Sequence, residues 1–344
     1  MKKSEQIEIL SLWGHALGAL IEANGSSQAG EESPLSILIR HAHAKNAWFT
    51  PDNILRSMKA HVEWLEKENL QKWMSKYERS SPIEKQKNIG IIMAGNIPAV
   101  GFHDLLSVLA SGHKAIIKCS SDDEVLIPFY IEVLKNISAE MASRCSIQPR
   151  FTDIDAVIAT GNNNSSRYFD YYFGKYPHII RKNRNSIAIF SGEESENNFI
   201  HLGNDLFSYF GLGCRNVSKL YVPKNYNFNS FFEAIERYNE LMNHNKYMNN
   251  YDYHRALYLL NDESFLTNNF LILREASSIA TPVSILHYEY YENESSLQKT
   301  LNEQSESIQC IVGKNHLAFG SSQCPGIDDY ADGVDTMAFL LSLC

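Results

Sequence analysis

The amino-acid sequence predicts an α/β protein of two domains with mostly parallel sheets. The chain has 344 residues, of which 44% are hydrophobic and 21% charged, so it is long enough to bury two cores. From residue 88 onward, short β-rich runs alternate with helical runs, the order that βαβ units produce. A polar run at 191–198 interrupts this alternation and is typical of a crossing between domains.

The N-terminal part is predicted to be helical. Residues 1 to 47 interleave apolar with polar residues around a turn-like Asn24-Gly25-Ser26-Ser27, and they contain no recognisable catalytic motif. In the next helix, for which Asp52 or Asn53 can supply the cap, apolar residues recur at helical spacing. They are Ile54, Leu55, Met58, Val62, Leu65, Trp73 and Met74. We interpret this stripe as core.

Six β-rich runs predict the strands of the sheets. They cover residues 88–94, 115–118, 156–160, 186–190, 218–222 and 284–288. Helical patterns follow the first two runs, at 100–109 after the turn at Asn96-Ile97-Pro98 and at 126–137. This alternation predicts parallel rather than antiparallel sheets.

Charge and hydropathy argue against two classes of protein. The net charge of −9 is spread along the chain with no basic block, which argues against a dedicated nucleic-acid surface. No run reaches the roughly 18 apolar residues of a membrane span. The start, Met1-Lys2-Lys3, is similar to the basic part of a signal peptide, but Glu5, Glu8 and His15 interrupt the apolar stretch that should follow. We therefore expect no nucleic-acid partner and no membrane span.

The cysteines and histidines suggest no metal site. The six cysteines lie far apart and include no Cys-x-x-Cys pair, so neither a zinc site nor a small disulfide scaffold is indicated. His41 and His43 are only two residues apart and have no further ligand cluster nearby, and we interpret them as non-metallic. This use of cysteine fits a cytoplasmic, reducing environment best.

The most informative single residue is Cys214, in the run SYFGLGCRNVSKLYVP at 208–223. Gly211 and Gly213 crowd the thiol just before a strand-like stretch, and small residues in such a place let backbone, cofactor or substrate approach closely. Taken alone, Cys214 fits a buried, inert cysteine better. Its meaning therefore depends on the motifs that accompany it.

Three further motifs occur with Cys214 in a fixed order. They are IIMAGNIPAV at 91–100, SGHKAIIKCS at 111–120, and FGSSQCPG at 319–326 leading into DYADGVDTM at 329–337. Together the four resemble the aldehyde dehydrogenase superfamily. Within it, from WFTP at 48–51 to the end, the chain resembles the LuxC family, the fatty acyl-CoA reductases of bacterial luminescence. The resemblance implies an aldehyde dehydrogenase-like fold, with a Rossmann-like cofactor domain and a catalytic domain.

The resemblance implies catalytic roles for two residues. Cys214 is the implied nucleophile, since a thiolate can exchange one thioester for another at little net cost. Cys119, beside Lys118, is the rival thiol, but it ends a strand-like run and has no glycine context. Asn96 is the implied oxyanion donor, paired with the backbone N–H of the nucleophile. Read by itself, Asn96 is an ordinary turn asparagine.

One departure from the superfamily is informative. Aldehyde-oxidising relatives carry a Glu-Leu-Gly-Gly run before the cysteine, whose glutamate activates water. Here that neighbourhood reads IRKNRNS at 180–186, without a carboxylate. Without a positioned base an acyl-cysteine survives longer, which favours reduction of thioesters over oxidation of aldehydes. The basic run itself is either a solvated loop or a site that neutralises ligand phosphates.

The resemblance also implies a nicotinamide cofactor. Lys118-Cys119-Ser120-Ser121 matches the superfamily's Lys-Pro-Ser-Glu type of run, whose lysine contacts the adenosine ribose. Ser121 stands where members that prefer NAD often have glutamate, and serine can donate to a 2′-phosphate, so NADPH is expected. Thr160-Gly161-Asn162 resembles the turn near the pyrophosphate, and is otherwise a plain strand-ending turn.

Glu275 is the candidate for the glutamate that holds the nicotinamide ribose. It stands farther before Pro282 than in the usual motif, and a surface glutamate at a helix end explains it equally well.

The resemblance therefore implies an NADPH-dependent acyl-CoA reductase working through an acyl-Cys214 intermediate. The expected domains are 1–192 for the cofactor with a helical N-terminal extension, 193–313 for catalysis, and 314–344 as a segment returning to the cofactor domain. The expected substrate is an acyl-CoA or acyl-carrier thioester, with a homodimer and acyltransferase or synthetase enzymes as partners. The alternatives are a cysteine-dependent acyltransferase or thioesterase without a redox step, and a non-catalytic scaffold subunit.

Overall fold

The computed structural model describes residues 1–26, 32–77, 85–161 and 163–343. The chain folds into two compact units. Unit 1 comprises Met1–Lys182 and Gly326–Cys344, and unit 2 comprises Asn183–Pro325.

The helices are α1 (Lys3–Ser26), α2 (Pro34–Lys45), α3 (Pro51–Trp64), α4 (Lys67–Ser75), α5 (Phe102–Ser111), α6 (Leu126–Ile137), α7 (Ala139–Ala142), α8 (Asn163–Phe173), α9 (Glu196–Phe207), α10 (Asn229–Ile235), α11 (Asn245–Leu260), α12 (Glu294–Glu303) and α13 (Thr336–Leu341). The strands are β1 (Asn88–Ile92), β2 (Lys114–Lys118), β3 (Cys145–Ile147), β4 (Ala156–Thr160), β5 (His178–Arg181), β6 (Asn185–Ile189), β7 (Val217–Pro223), β8 (Leu266–Thr267), β9 (Ile272–Glu275), β10 (Ile285–Tyr291) and β11 (Ile308–Gly313). Short 3-10 helices occupy Ser208–Gly211, Glu236–Asn243, Ser305–Ser307 and Ala331–Gly333.

Helices α2 and α3 each start where a hydroxyl residue precedes proline. Ser33 caps α2 by accepting a hydrogen bond from the N–H of Ser36 at 3.0 Å, and Thr50 caps α3 by accepting from Asn53 at 3.3 Å. The predicted caps Asp52 and Asn53 were therefore wrong. Both lie inside the first turn of α3, because proline suits the first helical position and the residue before it takes the cap.

The sheet of unit 1 has five parallel strands in the order β3-β2-β1-β4-β5. β1 is the central strand, and its Ile89 and Ile91 are fully buried. Helices α1, α3 and α5 add residues such as Trp13, Met58 and Phe102 to the same core. Alternating runs therefore fold as the sequence predicts, and the parallel order brings the carboxyl ends of β1, β2 and β4 to one edge.

The sheet of unit 2 has six strands in the order β11-β6-β7-β10-β9-β8. All neighbours pair in parallel except β8, which is antiparallel to β9 at the edge. The prediction of an α/β fold with mostly parallel sheets is confirmed. In the described part of the chain, the structure shows no helix that is both long and apolar enough to cross a membrane.

The units divide at other residues than the sequence indicates. The crossing lies after Lys182, before the predicted one at 192/193, because β6 pairs with β7 and β11 in the sheet of unit 2. The second crossing lies after Pro325 rather than at 313/314. From there, Nε2 of His103 lies 2.7 Å from the carbonyl oxygen of Ile327, and Trp73 donates to the hydroxyl of Tyr330 at 2.7 Å, which holds this segment in unit 1.

Candidate active site

Cys214 lies in a turn directly before β7, and it is exposed. The N–H of Asn216 donates to the carbonyl of Gly213 at 3.0 Å, which closes a four-residue turn with Cys214 at its second position. The carbonyl of Cys214 accepts from the hydroxyl of Ser186 on β6 at 3.1 Å. The thiol is thus presented by a turn at the amino end of a central strand, as an accessible nucleophile requires.

A left-handed stretch leads the chain into this turn. Tyr209 and Phe210 have φ of 52° and 58°, and Gly211 follows at 78°. Non-glycine residues adopt this conformation at a cost of about 1–2 kcal/mol each. The ring of Phe210 lies against His244, with centroids 4.1 Å apart, and Tyr209 is buried. Packing of the two aromatic side chains offsets the strain and turns the chain from α9 toward β7.

Unit 1 brings most of the predicted cofactor residues to one edge of its sheet. Asn96 lies in the loop after β1. Lys118 ends β2 and is followed by Cys119, Ser120 and Ser121, and Thr160 ends β4 and is followed by Gly161. The strand order reverses between β1 and β4, and open α/β sheets bind ligands in the crevice at such a point. Asn162 lies outside the described residues.

The loops after β1 and β2 fit closely against each other. A Cβ added to Gly95 would lie 2.7 Å from the hydroxyl oxygen of Ser120 and 2.9 Å from the Cβ of Asp122. The buried carboxylate of Asp123 accepts from the N–H of Ala99 at 2.7 Å and from that of Leu126 at 3.2 Å. One carboxylate therefore ties the Asn96 loop to the start of α6, although burial raises its pKa.

The side chains after β2 carry charges of both signs. Lys118, Ser121 and Asp122 are exposed, and the exposed Glu124 pairs with Lys45 at 3.1 Å. The hydroxyl of Ser120 accepts from the N–H of Asp122 at 3.2 Å, so this serine shapes the loop. A ligand that reached this loop would meet one lysine, the Ser121 hydroxyl and a neighbouring carboxylate.

Arg181 has a structural role that neither interpretation of the basic run included. Its guanidinium is buried at the end of β5, where Nη1 donates to Asp104 at 2.5 Å and to the hydroxyl of Thr160 at 3.3 Å. Nη2 donates to Thr336 on α13 at 3.0 Å. For Arg181, the interpretation as a solvated loop residue and the interpretation as a phosphate ligand were both wrong, because the side chain joins β4, α5 and α13. Lys182 is exposed.

Structural comparison finds neighbours of one fold. Aldehyde dehydrogenase 21 from Physcomitrella patens, in complex with the reaction product succinate, matches 92% of this chain and 74% of its own, with TM-score 0.65 and 12% identity. A Mycobacterium tuberculosis aldehyde dehydrogenase complexed with NAD⁺ matches 91% and 73%, with TM-score 0.63 and 13% identity. The NAD⁺ complex of a Bacillus cereus aldehyde dehydrogenase matches 91% and 72%, with TM-score 0.59 and 11% identity. The chain has the aldehyde dehydrogenase fold.

Comparison of the sequence with known families and curated proteins gives no match. No family model matches the chain. No curated protein matches it either. At such low identity the structural neighbours establish the aldehyde dehydrogenase fold alone.

Glu275 does not lie near Cys214 within this fold. It is the last residue of β9, and it pairs in register with Tyr288, which pairs with Leu220 in the middle of β7. Cys214 precedes the amino end of β7, two strands away. The register therefore gives no support to a role for Glu275 at the thiol end of the sheet.

The rival thiol Cys119 is placed unfavourably for nucleophilic attack. Burial, reinforced by the nearby carboxylates of Asp123 and Glu124, raises the pKa of Cys119 to about 11. A thiol with this pKa is protonated at neutral pH and is a poor nucleophile.

Three residues outside the predicted set shape the candidate site. Asn216 holds the Cys214 turn, the carboxylate of Asp205 holds the 320–322 loop, and Asp123 holds the Asn96 loop. Asn216 stands two residues after the cysteine, so a search of its immediate neighbourhood could have found it. Asp205 and Asp123 have no signal of their own, because a carboxylate in a helix or after a strand is ordinarily exposed.

Proposed function

We propose that this protein reduces acyl thioesters to aldehydes with NADPH, through an acyl intermediate on Cys214. The observation that supports this most is an exposed thiol in the turn before β7 of an aldehyde dehydrogenase fold. The fold itself is compatible with other chemistry, so the proposal depends on this residue.

The proposed first step is transfer of the acyl group to the thiol. The Cys214 thiolate attacks the thioester carbonyl, the bond between that carbon and the coenzyme A sulfur breaks, and coenzyme A leaves as a thiolate that takes up a proton. Asn96 would donate to the oxyanion formed in this step. The exposure of both side chains leaves them accessible to a substrate.

The bound nicotinamide would supply the hydride that converts the acyl-cysteine to an aldehyde and releases the thiolate. We propose that Lys118, Ser120, Ser121, Thr160 and Gly161, with Asn162, hold this cofactor. The close contact of Gly95 with Ser120 supports a shared site, since it holds the loop that contains Asn96 against the residues that follow Lys118. Ser121 favours NADPH, whereas the exposed Asp122 beside it would favour the ribose diol of NADH, so both cofactors belong in the assay.

The residues between β5 and β6 support reduction over oxidation to an acid. This stretch reads Lys182-Asn183-Arg184 and offers no carboxylate to activate water. Arg184 donates to the carbonyl of Ile308 at 3.3 Å. An acyl-cysteine would then persist until the hydride arrives. A carrier-bound or coenzyme A thioester as substrate, a homodimer, and acyltransferase or synthetase partners complete the proposal.

The test is NADPH or NADH consumption with a series of acyl-CoAs, measured together with free aldehyde. We expect one aldehyde per NADPH oxidised, and at least about a thousandfold loss in Cys214→Ala. Cys324→Ala is the matched control, because that thiol is also exposed in unit 2, and it should retain activity within about twofold.

Three results would contradict the proposal. Equal turnover in Cys214→Ala would exclude the acyl-cysteine. Thioester cleavage without cofactor consumption would indicate the transferase or thioesterase. No acyl adduct with any thioester would indicate the scaffold.

A further inference from the structure

The carboxamide of Asn216 forms the centre of the Cys214 turn. The residue is 1% exposed, and its Oδ1 accepts from the N–H of Gly213 at 2.8 Å. Its own N–H closes the turn on the carbonyl of Gly213. Gly213 and Asn216, the first and last residues of the turn, are thus joined by two hydrogen bonds, one through the backbone and one through the Asn216 side chain.

The other end of the carboxamide attaches this turn to α9. Nδ2 donates to the carbonyl of Ser208 at 2.9 Å and to that of Asp205 at 3.0 Å. These carbonyls lie at the C-terminal end of α9, where a helix has no partners of its own for them. Asn216 therefore caps the helix and holds the turn with the same group.

A second set of contacts fixes the neighbouring loop to the same helix end. The fully buried carboxylate of Asp205 accepts from the N–H of Gly320 at 2.6 Å, and from the N–H and hydroxyl of Ser322 at 2.9 and 2.6 Å. Nε of Arg215 donates to the carbonyl of Ser322 at 2.6 Å. The Cys214 turn is thereby held from α9 on one side and from the 320–322 loop on the other.

We propose that Asn216 is the positioning residue for Cys214, an inference that rests on the proposed function. Its carboxamide is buried and its hydrogen bonds to Gly213, Asp205 and Ser208 use both its oxygen and its nitrogen, so it acts on Cys214 through the turn. Attack on a thioester depends on the orientation of the thiol, and a displacement of about 1 Å can lower a rate about a hundredfold. Loss of the carboxamide frees the turn from α9 and removes this orientation.

The experiment compares Asn216→Ala and Asn216→Asp with wild type. Asn216→Asp keeps the shape of the side chain and the oxygen that accepts from Gly213, but it has no amide to donate to the carbonyls of α9. It therefore allows the proposal to be tested if the alanine variant does not fold. Ser218→Ala is the matched control. It removes a buried hydroxyl on the same strand, which lies 2.7 Å from the carbonyl oxygen of Ile279 and 3.5 Å from that of Ser186.

Three quantities are measured in each folded variant. Amide hydrogen exchange at residues 212–216 reports the order of the turn. Single-turnover acylation by an acyl-CoA without cofactor, followed by intact mass, reports the reactivity of Cys214. Alkylation by iodoacetamide, a small reagent that makes little demand on orientation, reports accessibility of the thiol.

We expect Asn216→Ala to exchange the Gly213 amide at least about tenfold faster, and Asn216→Asp to exchange it faster by a smaller factor because it keeps that acceptor. Both variants should acylate about ten- to a hundredfold more slowly. Alkylation should stay within about threefold of wild type, since Cys214 is exposed in either case. Ser218→Ala should match wild type in exchange at 212–216 and in acylation.

The inference is overturned if the exchange rates do not change, if acylation stays at the wild-type rate, or if Ser218→Ala slows acylation equally. Wild-type protein that no thioester acylates would instead contradict the proposed function. In that event the exchange rates alone still decide whether Asn216 holds the turn, and unchanged rates would overturn the inference.

Discussion

At the scale of single residues, the environment separates two thiols that the sequence presents as rivals. Cys119 directly follows β2 and is partly buried, and burial with nearby carboxylates raises its pKa to about 11. Cys214 lies exposed in a turn. Since the thiolate is the reactive form, the raised pKa disfavours Cys119 as the nucleophile.

The proposed oxyanion donor can be tested by removing its amide. Asn96→Ala is expected to lower turnover about a hundred- to a thousandfold, because the carbonyl oxygen that becomes negative loses one donor. Activity measured with saturating acyl-CoA and cofactor checks this. Asn69→Ala is the control, since Asn69 is a partly exposed asparagine on α4 that donates to the carbonyl of Glu63, and it should have wild-type turnover. A wild-type rate in Asn96→Ala would exclude the assigned role.

At the scale of elements, the loops after β1 and β2 form one structure. Gly95 lies against Ser120 and Asp122, and Asp123 binds the backbone of Ala99, whose φ is 51°. These contacts place the Asn96 loop beside the loop that carries Lys118. A change in either loop is therefore expected to affect the other.

Gly95→Ala is expected to weaken cofactor binding at least about tenfold. Its methyl group would lie within 3 Å of Ser120 and Asp122, so one of the two loops must move. Titration of the protein with NADPH and with NADH measures the effect. Gly18→Ala is the control, because its nearest neighbour is Val62 at 3.6 Å, an ordinary contact, and a helical glycine gains up to about 1 kcal/mol from this change. Unchanged affinity in Gly95→Ala would contradict a nucleotide site at these loops.

At the scale of the whole molecule, unit 1 has buried histidines that are neutral when folded. Burial lowers the pKa of His61 from 6.5 to about 3, and burial also lowers that of His103. Between those values the unfolded chain binds protons that the folded unit does not. The contribution of these histidines to the free energy of unfolding is therefore fully present above pH about 6.5 and decreases as the pH falls.

We expect the free energy of unfolding of unit 1 to fall between pH about 6.5 and 5, by up to about 1.4 kcal/mol per pH unit for each histidine. Urea unfolding followed by tryptophan fluorescence measures it, because all four tryptophans lie in unit 1. His15→Gln, which changes an exposed histidine, should keep the slope. Stability that is constant or rises as the pH falls through this window would contradict the expectation. Burial raises the pKa of Asp123, so this group binds a proton more readily in the folded unit and adds stability as the pH falls. The predicted fall in the free energy of unfolding is therefore an upper value.

The sequence by itself determined the α/β class, the parallel sheets and the stretches that carry the candidate site. These depend on local periods and on short motifs, so the strand-like runs at 88–94 and 218–222 became β1 and β7. The predicted residues after β1, β2 and β4 share an edge because parallel strands order them in that way.

Only the tertiary structure decided the hydrogen-bond partners of Arg181, Asn216 and Asp205 and the strand register of Glu275. Each depends on a partner far along the chain or on strand register, as when Asp205 binds Ser322 or Glu275 pairs with Tyr288. The unit boundaries were decided in the same way, because β6 joins the sheet of unit 2 through pairs with β7 and β11. The local sequence shows which groups can form hydrogen bonds. Tertiary packing determines which partner each group binds and how deeply it is buried, and burial shifts its pKa.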